Sequence, residues 1–179
     1  IPFCEWFVIP YLIWFLYIPA VFLFLFYHSK KEFYRMCAYE FTGMTIALLV
    51  CTFYPNGLEL RLSNIGRENI LIDLVHFLYN NDTPTNVFPS LHVYVTISAH
   101  ICLVKSPHMQ GLNSRKHIKV ISLILAILIC MSTLFLKQHS VLDVLAGTAL
   151  AFIMYFIVFK WWFRNTEFPA PKIKDPKQH

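Results

Sequence analysis

The chain has 179 residues, of which 57% are hydrophobic, 17% aromatic and only 14% charged. A soluble fold of this size cannot hide that much apolar surface, so composition excludes an ordinary soluble domain. The formal charge of +5 raises nucleic acid as a partner, and the placement of the basic residues along the chain argues against it.

Five stretches reach the length that a bilayer requires, about 20 mostly apolar residues. The first runs from Trp6 to Tyr27 and contains Pro10 and Pro19. It lacks a basic leader and a small-residue cleavage site, so it is no signal peptide, and the two prolines predict kinks that neighbouring helices tolerate. The chain opens on Ile1 rather than Met, which leads us to expect that it begins inside a longer protein. Lys30, Lys31 and Arg35 follow, and the second span runs from Met36 to Tyr54. Glu40, near its inner end, is expected to pair with Arg35.

Next comes a polar connection, "FYPNGLELRLSNIGREN" (Phe53 to Asn69), where Pro55, Asn56 and Gly57 break the helix and Arg61 and Arg67 supply charge. Between Arg67 and Tyr79 the apolar residues Ile70, Leu71, Leu74, Val75 and Leu78 have the spacing of an amphipathic helix lying on a membrane surface. The third span is Val87–Val104, the fourth Ile118–Leu136 and the fifth Val141–Trp162.

Basic residues mark alternate connections. Lys105, Arg115, Lys116 and Lys119 separate the third and fourth spans, and Lys160, Arg164, Lys172, Lys174 and Lys177 follow the fifth. By the positive-inside rule these face the cytoplasm, so 55–86 and 137–140 face outward. The expected fold is an all-α, polytopic membrane helix bundle: five transmembrane helices and a short outer-face amphipathic helix. Residues 1–165 form one domain and 166–179 a basic cytoplasmic tail. The cysteines Cys4, Cys37, Cys51, Cys102 and Cys130 have no metal or disulfide spacing and read as small core residues. The aromatics Trp6, Trp161 and Trp162 fit interfacial belts.

Three polar groups then share one membrane face. Arg61 and Arg67 form the first. In "FPSLH", Pro89 suits the first turn of a helix, which puts Ser90 and His92 beside unpaired backbone amides, an anion-binding position. Ser90 as a simple cap is the competing structural reading. In "STLFLKQHSVLDV" (Ser132 to Val144), His139 and Asp143 are four apart and share a helical face. A carboxylate holding one ring nitrogen leaves the other free as base or nucleophile. His100 lies deeper on the third span and reads as a helix–helix hydrogen bond. A cationic cluster beside an imidazole suits a phosphate, with Arg61, Lys137, Ser90 and helix amides on its oxygens, His139 attacking and His92 as acid.

"FPSLH" and "STLFLKQHSVLD" resemble the second and third signature motifs, P-S-G-H and S-R-x5-H-x3-D, of the type 2 phosphatidic acid phosphatase superfamily. The resemblance implies a six-helix membrane phosphatase core, with one helix expected before Ile1 and no metal or other cofactor. It implies His139 as nucleophile, Asp143 as its partner, His92 as acid and Ser90 as a phosphate ligand; Arg61, Ser132, Lys137 and Arg67 complete the expected binding set. The chain departs from the pattern at Tyr54, where the first motif has lysine, at Leu62 and Leu91, and at Thr133, where the third has arginine. Lys137 is expected to restore the lost charge. The P-S-L-H form is similar to the branch of inositol phosphorylceramide synthases and related bacterial proteins.

The leading expectation is a lipid phosphatase working through a phosphohistidine on the extracytoplasmic face of a bacterial inner membrane. A phosphotransferase passing a headgroup to an alcohol stays open, as does a non-catalytic protein, for example one holding haem between His92 and His100. Expected partners are the lipid phosphate and membrane lipids, with no nucleic acid and with homo-oligomerisation left open.

Overall fold

A computed structural model describes residues 1–62, 65–109 and 113–162, with the side chains of 113 and 114 set aside. It contains six α-helices: α1 (Val8–His28), α2 (Lys30–Phe53), α3 (Ile70–Asn81), α4 (Leu91–Lys105), α5 (Asn113–Phe135) and α6 (Val141–Tyr155). A 3-10 turn, Glu5–Phe7, leads into α1, and α6 continues as a π-helix over Phe156–Trp162. Among the described residues there is no strand, only an isolated bridge between Gly57 and Thr85. The expected tail, 166–179, lies outside the described residues.

Among the described residues, four helical stretches are long and apolar enough to cross a membrane: Glu5–His28, Lys30–Phe53, Arg115–Phe135 and Val141–Trp162. Leu91–Lys105 is a shorter apolar helix, about 22 Å long at 1.5 Å per residue. The fold is an all-α polytopic membrane bundle. Its outward faces carry the apolar side chains that lipid would solvate, among them Leu16, Ile121, Ile124, Leu142 and Leu145. Trp6, Trp161 and Trp162 are exposed at the helix ends.

Helix α4 is the axis of the bundle and packs against α1, α2, α5 and α6. Its interior position explains why it carries no single apolar stripe. Tyr94, Val95, Ala99, Cys102 and Leu103 are all buried in the main core, with Tyr39 and Met36 of α2 and Ala151 and Met154 of α6. Polar side chains on α4 are matched across helices. Ser98 donates to Glu40 at 2.6 Å, and His100 bonds Ser122 of α5 at 2.8 Å, the interhelical role expected of it. Glu40 therefore does not pair with Arg35. Arg35 binds Glu32, one turn earlier, at 3.0 Å, because three-residue spacing places those two side chains on one face.

The N-terminus of α4 lies deeper than the sequence pattern predicts. The expected span began at Val87, but Val87–Ser90 is non-helical and Ser90 is the N-cap, its hydroxyl accepting from the Val93 amide. Pro89 thus precedes the cap instead of opening the first turn. Pro10 lies in the first turn of α1, where its missing N–H is no loss; Pro19 is inside that helix.

Helix α3 is the predicted amphipathic element. Asn69 caps it through the amides of Leu71 and Ile72. Its inner face, Val75 and Leu78, joins Val8, Tyr11 and Leu136 in a second core at one end of the bundle, while Ile70 and Phe77 stay exposed.

The contact that sets the site is between α4 and α6. A Cβ on Gly147 would lie 2.5 Å from the Ser90 carbonyl oxygen and 3.3 Å from the Val93 Cβ. Only glycine allows the first turn of α4 to approach α6 this closely, and the Ser90 amide then donates to the Asp143 carbonyl at 3.1 Å. Gly147→Ala should therefore cost about 1–3 kcal/mol by overpacking, read as a lowered melting temperature of the purified protein in detergent. An unchanged melting temperature would contradict the packing described.

Candidate active site

Local chain geometry delivers His139. Helix α5 ends where Lys137 takes a left-handed conformation, φ 56°, and the amides of Gln138 and His139 both donate to the Thr133 carbonyl at 3.0 Å. Such a left-handed residue satisfies the last carbonyls of a helix while reversing the chain. Ser140 immediately caps α6 in a capping box: its hydroxyl accepts from the Asp143 amide, and Asp143 accepts from the Ser140 amide at 2.6 Å. Gln138 and His139 are thus pinned between one helix C-terminus and the next N-terminus.

His139 is not on α6, so the expected four-residue helical pairing takes a different form. Its Nδ1 lies 3.8 Å from Asp143 Oδ2, a contact longer than a hydrogen bond. The capping box explains the distance, because the same carboxylate oxygen is held by the Ser140 amide. The ring of His92 neighbours that of His139, with centroids 5.9 Å apart and the planes tilted by 59°. His92 is backed by Tyr11 at 4.8 Å and Trp14 at 4.6 Å, aromatic packing that fixes its ring plane.

Arg61 arrives from the loop after α2. That loop is tied to the segment before α4: Leu58 N–H to Pro84 O at 2.9 Å, Asn86 N–H to Asn56 O at 2.6 Å and Phe88 N–H to Asn56 Oδ1 at 2.9 Å. The guanidinium donates to the carbonyls of Tyr79 and Asp82 at the C-terminal end of α3 and to Gln138 Oε1. It also stacks over the Tyr79 ring at 4.9 Å. Cation at a helix C-terminus is the favoured sense of the dipole. Burial pushes the Tyr79 pKa above its ordinary value against the lowering influence of Arg61, and its hydroxyl donates to the Leu136 carbonyl at 2.7 Å.

Arg61, Asp82, Leu91, His92, Gln138 and His139 line one cavity of about 150 Å³, space for about five waters at ~30 Å³ each. Three separate stretches of chain converge there, as the motif reading requires. Ser90, an expected phosphate ligand, is fully buried, caps α4 through the Val93 amide and does not line the cavity; Asp143 lies next to His139.

Three other expected ligands, Lys137, Arg67 and Ser132, are placed elsewhere, and Thr133, which stands where the motif has arginine, is also turned away from the cavity. Lys137 turns the backbone and gives its ammonium to the Ile1 carbonyl; it does not line the cavity. Arg67 binds Glu5 at 3.1 Å, with 61% of its side chain exposed, because Glu5 is a buried carboxylate that needs a counter-charge. Ser132 donates back to the Ile129 carbonyl at 2.6 Å, and Thr133 to the Cys130 carbonyl at 2.8 Å, the usual recourse of a buried hydroxyl on a helix. Tyr54 is exposed and also absent from the lining. Conversely, Gln138 and Asp82 were not singled out by the motifs. Adjacency of Gln138 to His139, and of Asp82 to the end of the amphipathic helix, was the available signal.

The geometry defines a class first: a polytopic α-helical membrane protein with a polar, histidine-bearing cavity at one end of the bundle. One family profile, described as PAP2 superfamily, matches residues 67–167, more than half the chain, and the chain belongs to that family. The matched region holds α3 to α6 with both histidines; Arg61 precedes it. No curated protein and no solved structure matches the chain. Membership supports an enzyme of the phosphatase or phosphotransferase type.

Lys137 supplies a backbone conformation, so Lys137→Gly should leave turnover within about twofold and relieve roughly 1 kcal/mol of left-handed strain. Phosphate release assays and thermal melts check this, and a loss above about tenfold would return Lys137 to the binding set.

Proposed function

We propose that this chain is an integral-membrane lipid phosphatase that works through a phosphohistidine at the extracytoplasmic face. The observation that carries the reading is the pair of imidazoles, His92 and His139, neighbouring rings with centroids 5.9 Å apart, both on the lining of a cavity that also holds Arg61. One tetrahedral phosphoryl group can touch both rings.

His139 attacks phosphorus through Nε2, with Nδ1 turned toward Asp143. That carboxylate favours the imidazolium that develops as the new N–P bond forms. The bond from phosphorus to the lipid oxygen breaks, and His92 gives the departing oxygen its proton. In the second half, water attacks the phosphohistidine; His92 takes a proton from it, the N–P bond breaks, and phosphate leaves. Arg61 and the amides at the start of α4 stabilise the charge spread over the non-bridging oxygens. Exposed apolar side chains around the bundle keep the lipid tail in the bilayer while its headgroup reaches the cavity. The basic clusters Lys30, Lys31 and Arg35, and Lys105 to Lys119, support placing the opposite end of the bundle in the cytoplasm.

A second reading is favoured by the cavity rim, where Asp82, Thr83, Thr85 and Asn86 present groups that bind hydroxyls. They suit a hydroxylated headgroup or an alcohol acceptor, so transfer to an alcohol competes with hydrolysis. Incubation with labelled lipid and candidate alcohols separates the two: free phosphate alone indicates hydrolysis.

Purified protein in EDTA should release phosphate from one of a panel comprising phosphatidate, phosphatidylglycerol phosphate and isoprenyl diphosphates. His139→Ala should lower that rate at least about 10³-fold, the scale of removing a nucleophile. Full turnover in the variant refutes the assignment.

A further inference from the structure

We infer that Gln138 is a substrate ligand: its side-chain amide N–H₂ donates to a phosphoryl oxygen while its carbonyl oxygen holds Arg61. This rests on the phosphoryl-transfer reading above.

The orientation of the amide is fixed by chemistry. A guanidinium has only donors, and Arg61 Nη2 lies against one end of the Gln138 side chain, so that end is Oε1. The Nε2 end is thereby turned away from Arg61. Gln138 is 3% exposed, lines the cavity, and its Nε2 is buried with no hydrogen-bond partner. Arg61 Nε, on another lining residue, is in the same condition. Each buried donor left unpaired costs about 1–3 kcal/mol, and such groups call for a specific explanation. The His139 Nδ1 on the same cavity is also unpaired, but it is turned toward Asp143; the Gln138 and Arg61 donors have no such acceptor and are explained by a ligand rich in acceptors and without donors on that side, as phosphoryl oxygens are.

The same residue answers how the clamp works without the family's usual cations. The positions of the missing charges, Tyr54 and Thr133, do not line the cavity, and Lys137 is bound to Ile1. Arg61 is the lining guanidinium, and Asp82 Oδ2 is 3.9 Å from it. A neutral donor that also orders the guanidinium compensates in hydrogen bonds for what is lost in charge.

The test is calorimetric binding of inorganic phosphate to the purified full chain in detergent. Gln138→Glu keeps an oxygen for Arg61 and removes the donor; Gln138→Met removes both; Asn81→Asp adds an equal charge beside the rim at an exposed residue outside the lining and leaves the donor. Gln138→Glu and Gln138→Met should each weaken phosphate at least about tenfold, and Asn81→Asp less than about threefold. Wild-type affinity in Gln138→Glu means that Gln138 only positions Arg61, and a loss in Asn81→Asp equal to that in Gln138→Glu means that charge alone acts; either overturns the proposal. Wild-type protein that neither binds phosphate nor turns over any lipid phosphate overturns the underlying reading with it.

Discussion

The site depends on one close approach, that of the first turn of α4 to the first two turns of α6. Gly147 lacks the side chain that would strike the Ser90 carbonyl, and the Ser90 amide is then able to reach the Asp143 carbonyl. His92 is two residues beyond Ser90, and His139 is just before the α6 cap. Docking the two helix starts therefore sets the separation of the two imidazoles. Everything else arranges charge and access around that distance: Tyr11 and Trp14 behind His92, the capping box in front of Asp143, and Arg61 brought in on the end of α3.

Much of the architecture was legible in the chain because lipid imposes a simple rule on sequence. Apolar stretches of membrane length predict helices, and four of the five expected spans meet the length and hydropathy of a crossing helix. The amphipathic spacing over Ile70 to Leu78 reports a real face in part: Val75 and Leu78 are buried, while Ile70, which the spacing also put on that face, is exposed at the start of the helix. Helix α4 is the instructive difference. Hydropathy does not register that Val87 to Ser90 is non-helical, since Val87 and Phe88 are as apolar as the helix they precede.

Site residues were legible only where a motif fixed their relation to the backbone. His92, His139 and Arg61 converge as the motifs require. Lys137, Arg67 and Ser132 do not, and each is drawn off by a local demand invisible in composition: a left-handed turn beside the Ile1 carbonyl, a buried carboxylate at Glu5, and a hydroxyl that satisfies itself on its own helix. Gln138 shows the reverse. No rule about charge would select a glutamine, and the role inferred for it rests on which of its atoms has a partner. A buried amide donor left unpaired lowers stability, and its presence on a cavity is what a preorganised site would show and a well-satisfied core would not.

The central claim is that the docking of α4 on α6 presents His139, not His92 or Ser90, to phosphorus. The most direct measurement is an alkaline quench of the enzyme during turnover of a radiolabelled lipid phosphate, followed by peptide mapping of the protein-bound label. Label on His139 is the result this account predicts. Label on His92 or Ser90, or no covalent label while phosphate is being released in a burst, would contradict it.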